Sequence, residues 1–179
     1  DFSRQLNAFL EGHRIVDVSR DMGLVRMVKT EEEIRRLRRA TEWTVKAHES
    51  FHEAARPGTT DWELYRIAAN RMIEEGSEAP NFIFIGMGPT RFAANARFPT
   101  GHVLKEGEFL RIDMGANCLG FGADFVRCYF LGHCTSRQQD VWNWLNEVEM
   151  EIGSSIKPGV TGGEIYERGV KLIERHLPN

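Results

Sequence analysis

Apolar residues recur at helical spacing through residues 31–55, at Ile34, Leu37, Phe51 and Ala55, with Thr41 and Thr44 completing the stripe. Four segments open in one idiom, a hydroxyl at the N-cap with Glu or Gln three residues later: Thr30 with Glu33, Thr60 with Glu63, Thr135 with Gln138, and Thr161 with Glu164. Helices are expected at about 31–55, 61–75, 136–153 and 162–176. Between the second and third the texture changes. Residues 81–85 are a short β-type run stopped by Gly86, and a stretch containing Gly, Pro and Asn follows from Gly88 to Gly101. Residues 109–114 and 124–131 then read as two strands joined by the turn residues of 117–122, an antiparallel hairpin. Residues 14–18 read as a further strand, and residues 1–28 as the tail of an upstream region.

One stretch resembles a later one, with Pro, Gly, Thr, Glu and Tyr identical. Arg56-Pro57-Gly58-Thr59-Thr60-Asp61-Trp62-Glu63-Leu64-Tyr65 is followed 101 positions later by Lys157-Pro158-Gly159-Val160-Thr161-Gly162-Gly163-Glu164-Ile165-Tyr166. A Pro-Gly junction before a capping box is a common way to join two helices, but a long helix precedes both copies, which favours a true repeat. The first copy, residues 29–131, has strands after its helices; the second, residues 135–177, has helices only. The chain reads as about one and a half repeats of a two-repeat domain over residues 29–179.

Composition narrows the classes. The chain has 179 residues, 41% hydrophobic and 27% charged, with a net charge of −3, so no basic excess points to nucleic acid. No apolar run approaches the ~18 residues of a membrane span. The three cysteines, Cys118, Cys128 and Cys134, give no disulfide framework and suit a reducing, cytoplasmic setting.

Candidate chemistry lies in RIDMGANCLGFGADFVR, residues 111–127. If the turn centres between Cys118 and Leu119, Asp113 and Asp124 stand directly opposite on paired strands, with Cβ atoms roughly 4.5–5.5 Å apart. Carboxylates that close repel, and a divalent cation between them is the simplest relief. The other reading is two exposed aspartates flanking a turn at a slightly different register.

Ile112-Asp113-Met114-Gly115, Gly120-Phe121, Asp124-Phe125-Val126-Arg127 and Gly132 together resemble the D-x-G…G-Y-x-x-D-x-T-R…G signature of the pita-bread metallopeptidases. These include Xaa-Pro aminopeptidases, prolidases, methionine aminopeptidases and creatinase. Arg26-Met27-Val28-Lys29 with Glu33-Ile34 resembles the entry to the catalytic domain in the Xaa-Pro branch, and Pro57-Gly58 with Thr60 and Glu63 its Pro-Gly link. The resemblance implies an α+β pita-bread fold of two related halves. It implies two divalent metal ions (Mn, Co, Zn or Fe), a peptide or amide substrate, a homodimer, and a hydroxide attacking the scissile carbonyl. Asp113 and Asp124 match two of the family's five ligands. The remaining His and two Glu, one of them the base, would fall beyond Asn179, so the chain alone is expected to be inactive.

Three positions depart from the pattern. Ala96 stands where a substrate-facing His is usual, His102 (a candidate substrate-binding residue) where Arg is usual, and Val126 where Thr or Ser is usual. They leave open other hydrolase or lyase chemistry on the same scaffold, or a non-catalytic binding role. A competing motif is His48-Glu49-Ser50-Phe51-His52, an H-E-x-x-H match that on a helix could bind zinc, with Glu74 or Glu75 as third ligand. At 100° per residue, however, His48 falls on the apolar stripe, His52 at its margin and Glu49 outside it, as in a packing helix.

Overall fold

The structure, a computed structural model, describes residues 2–13, 16–88 and 98–176. Helices α3 (Glu31–Ala54) and α4 (Asp61–Glu75) precede strands β1 (Pro80–Met87), β2 (Phe109–Cys118), β3 (Phe121–Gly122) and β4 (Phe125–Phe130). Helices α5 (Ser136–Ser155) and α6 (Gly162–Glu174) follow. All four sequence-predicted helices are present within two residues of the expected bounds, and each opens on a capping box closed in both directions. These starts were legible because a capping box is local, needing only residues three apart.

No N-terminal strand is found among the described residues. Arg14 and Ile15 lie outside the described residues, and residues 16–18 have no regular structure. Two helices stand beside them, α1 (Phe2–Phe9) and α2 (Ser19–Met27), both with their apolar side chains largely exposed. Alternation over five residues is too short a signal to separate a strand from a linker.

β2 is the centre of an antiparallel sheet, paired with β1 on one side and with β3 and β4 on the other. Its period-2 pattern divides the sheet into two faces. Leu110, Ile112, Met114 and Ala116 join Ile83, Ile85 and Met87 in a core closed by Ala47 and Phe51 of α3 and by Leu64, Ala68 and Met72 of α4. The other face carries Phe82, Phe84, Phe109, Arg111, Asp113, Val126, Cys128 and Phe130, all half-buried. Its aromatic residues pair among themselves, Phe109 with Phe130 at 4.7 Å and Phe82 with Phe84 at 5.0 Å between centroids.

The two Pro-Gly junctions have the same backbone. Gly58 and Gly159 sit at φ 95° and 94°, and the N-caps Thr60 and Thr161 at φ −88° with ψ 153° and 156°. The repeat seen in sequence is thus a repeat of local structure. Among the described residues the three cysteines are free, and no helix is long and apolar enough to cross a membrane.

Candidate metal centre

Asn117 pairs with Gly122 and Cys118 with Phe121, so the hairpin turns on Leu119 and Gly120, at φ 51° and 83°. Two successive positive φ values are what a tight two-residue hairpin requires, and only the second falls on Gly. Leu119 is held there because the Glu78 carboxylate accepts its N–H at 2.9 and 3.0 Å and also accepts from Asn117 Nδ2 at 3.1 Å. The turn therefore centres one residue later than the sequence suggests. Asp113 stands opposite Val126, not Asp124.

The pairing offset is the same at Cys118–Phe121 and at Asp113–Val126, so Asp124 takes the register position opposite Gly115, diagonal to Asp113. Diagonal neighbours are roughly 7 Å apart. That separation weakens the repulsion argument but leaves room for a cation, whose carboxylate oxygens stand about 2.0–2.6 Å away. Gly115 is required here: a Cβ on it would lie 1.7 Å from the carbonyl oxygen of Ala123. The Gly of the D-x-G triplet thus lets the second strand cross close above the first.

The two carboxylates differ. Asp124 is exposed, in the gap between β3 and β4. The Asp113 side chain is 16% exposed, and its Oδ2 accepts from Arg111 Nη2 at 2.9 Å. Its Oδ1 is buried and has no hydrogen-bond donor among the described residues. A buried carboxylate oxygen without a donor is costly, and a cation is one of the few groups that satisfies it. Among the described residues no three His, Cys, Asp or Glu side chains converge, so Asp113 and Asp124 make at most part of a ligand set.

The H-E-x-x-H helix faces elsewhere. His48 is 6% exposed behind the sheet, with Nε2 3.3 Å from the Phe125 carbonyl and Nδ1 3.5 Å from the Tyr129 hydroxyl. A carbonyl can only accept, so Nε2 carries the proton and is not a ligand. Burial pushes the ring's pKa down to about 4, keeping it neutral. Glu49 and His52 are exposed, and Glu75 is paired with Lys46 and Arg71. The motif belongs to a packing helix.

The sequence matches the profile of metallopeptidase family M24 over residues 35–178. The chain belongs to that family. The Xaa-Pro dipeptidase of Pyrococcus horikoshii is 27% identical over 166 residues, covering 93% of this chain and 46% of the relative. The probable dipeptidase PepE of Mycobacterium tuberculosis is 28% identical over 142 residues, covering 79% and 38%. The chain thus spans less than half the length of these curated relatives. Prolidase from Pyrococcus furiosus superposes with a TM-score of 0.89 at 22% identity, covering 98% of this chain and 52% of that one. X-Pro aminopeptidase from Thermotoga maritima gives 0.83 at 24%, covering 97% and 49%. The fold is the α+β pita-bread fold.

Within this M24 chain His102 lies apart from the carboxylates. Its Nε2 is 2.8 Å from Glu108 Oε2, and its ring packs beneath Gly88, just past the pairing of Met87 with Leu110 at the far end of β2. There it lines a cleft of about 1370 Å³ between the open sheet face and α5, together with Phe109, Val126, Trp142 and Leu145. Neither aspartate lines that cleft. Ala96 lies outside the described residues. Sequence reading missed Asp61. Buried at the start of α4, it accepts from Thr100 N–H at 2.7 Å and Gly101 N–H at 2.9 Å, tying down the loop that carries His102.

Proposed function

We propose that this chain carries the first two metal ligands, Asp113 and Asp124, of a peptidase acting on Xaa-Pro peptides. The observation that carries the reading is the buried Oδ1 of Asp113, which has no donor among the described residues, one diagonal step from Asp124 in an M24 chain. The names of the relatives, an Xaa-Pro dipeptidase and a prolidase, support the substrate class. Two carboxylates are hard oxygen donors suited to Mn²⁺ and similar divalent ions. Bound divalent ions would supply Lewis-acid polarisation of the scissile carbonyl and a water nucleophilic at neutral pH. Asp113, half-buried beside Arg111, would hold its oxygen in a fixed direction, while the exposed Asp124 leaves its side open to solvent and substrate.

The test is a Mn²⁺ titration of the ¹⁵N-labelled chain, following paramagnetic broadening of backbone amides. Broadening centred on residues 113–115 and 123–126, lost in Asp113→Asn and in Asp124→Asn, is the expected result. Uniform broadening, or broadening that both variants leave intact, removes the assignment.

A further inference from the structure

Asp124 falls between β3, which ends at Gly122, and β4, which begins at Phe125, so it stands outside the paired ladder. The chain around it is held from behind by α3. Thr44 Oγ1 accepts the N–H of Ala116 on β2 at 2.8 Å while donating to Ala40 C=O. One turn on, His48 Nε2–H donates to the carbonyl of Phe125, the residue after Asp124. The imidazole also stacks on the Phe125 ring, centroids 5.1 Å apart and planes 16° from parallel. Residues four apart share a helix face, so α3 reaches both strands of the hairpin with two polar side chains. Arg36, two turns before Thr44, lies over the ring of Phe121 at 5.6 Å and continues the row toward the hairpin tip.

We infer that His48 is a positioning residue for Asp124, fixing through the Phe125 carbonyl where that carboxylate stands relative to Asp113. The inference rests on the two-carboxylate reading above. Among the described residues the hydrogen bonds of His48 go to the Phe125 carbonyl and the Tyr129 hydroxyl and not to a carboxylate. His48 acts through one backbone carbonyl, as outer groups act on metal ligands. A buried imidazole needs an acceptor for its N–H wherever it sits; here that acceptor is the strand carbonyl adjoining Asp124, the candidate ligand outside the ladder. Tyr129, whose hydroxyl faces Nδ1, keeps the ring turned so that its N–H meets Phe125.

The experiment is the same Mn²⁺ titration on the full chain with four variants: Asp124→Asn, His48→Leu, His48→Gln and Leu64→Ala. His48→Gln keeps a side-chain N–H donor. Leu64→Ala loosens the same core from α4. His48→Leu should raise the Mn²⁺ concentration for half-broadening about ten-fold or more. His48→Gln should restore most of that loss, and Leu64→Ala should titrate with the wild type. If His48→Leu titrates with the wild type, or shifts together with Leu64→Ala, His48 is only a core residue and the inference is wrong. Loss in Asp124→Asn with His48→Leu unchanged sinks the inference alone. If Asp124→Asn and the wild type titrate alike, the two-carboxylate reading has failed and the positioning role falls with it.

Discussion

Arg111 reaches two residues along its own strand to Asp113 and satisfies Oδ2 at 2.9 Å, while Oδ1 has no donor among the described residues. The guanidinium therefore competes with any cation for the same carboxylate. Arg111→Met should strengthen Mn²⁺ binding a few-fold, because the pair is partly exposed and is worth about 1 kcal/mol or less. Comparing titration midpoints of the two proteins checks it; weaker binding in the variant would mean that Arg111 orients Asp113 instead of competing for it.

Stability should fall on mild acidification. The His48 pKa is lowered from 6.5 to about 4, chiefly by burial, with Arg127 of β4 adding to the effect and the Phe125 carbonyl opposing it. The unfolded chain takes a proton near pH 6.5 that the folded chain refuses until about 4. The contribution is full above pH 6.5, is lost as pH falls towards 4 and does not change below that, about 3 kcal/mol at most. Denaturant midpoints of wild type and His48→Gln across pH 7 to 4 should converge as pH falls; parallel curves would assign the loss to other groups.

Gly115→Ala should disrupt the hairpin. The new methyl would meet the Ala123 carbonyl at 1.7 Å, and the obstacle is backbone, not a movable side-chain end. A loss on the order of 3 kcal/mol is expected, read as a shift of the urea midpoint.

Thr44→Val keeps the shape but removes a buried hydroxyl, leaving the Ala116 N–H without its partner. About 1–3 kcal/mol of stability should go. A midpoint within error of the wild type would mean that the N–H finds another acceptor.

The 179-residue chain should release no proline from an Ala-Pro dipeptide in the presence of Mn²⁺, since its described residues bring no third ligand to Asp113 and Asp124. Measurable turnover, followed as free proline, would require a base supplied from within this chain.

What sequence revealed and what it did not divides along the range of the forces involved. The helices were readable because a threonine and a glutamate three apart settle where each begins. The hairpin was readable as a hairpin, but its turn lies one residue later than expected, which moves the pairing by two, so that Asp113 meets Val126 instead of Asp124 while both aspartates keep the same face. Leu119 is an unusual occupant of a positive-φ position, and Glu78, which steadies it, lies 41 residues away. No local pattern announces such a partner. His48 was placed correctly on the apolar stripe, yet its hydrogen bond to a strand 77 positions along the chain was invisible. Asp61, in the first turn of α4, anchors a loop some forty residues on, a partner that no local pattern announces.

The two Pro-Gly elbows share one backbone but not one fate. Around Thr60 the elbow is tied to loop backbone, with Leu104 N–H on Thr59 C=O and Asp61 N–H on His102 C=O, and its helices lie on the sheet. Around Thr161 the same elbow joins helices that bury only Val148, Gly169 and Leu172 among the described residues. Amide hydrogens of α5 and α6 should therefore exchange with solvent through small, frequent openings, while those of α3 and β2 should wait for unfolding of the sheet. Two similar stretches of sequence with one backbone would then differ by orders of magnitude in exchange lifetime, a difference set by what lies beneath each elbow.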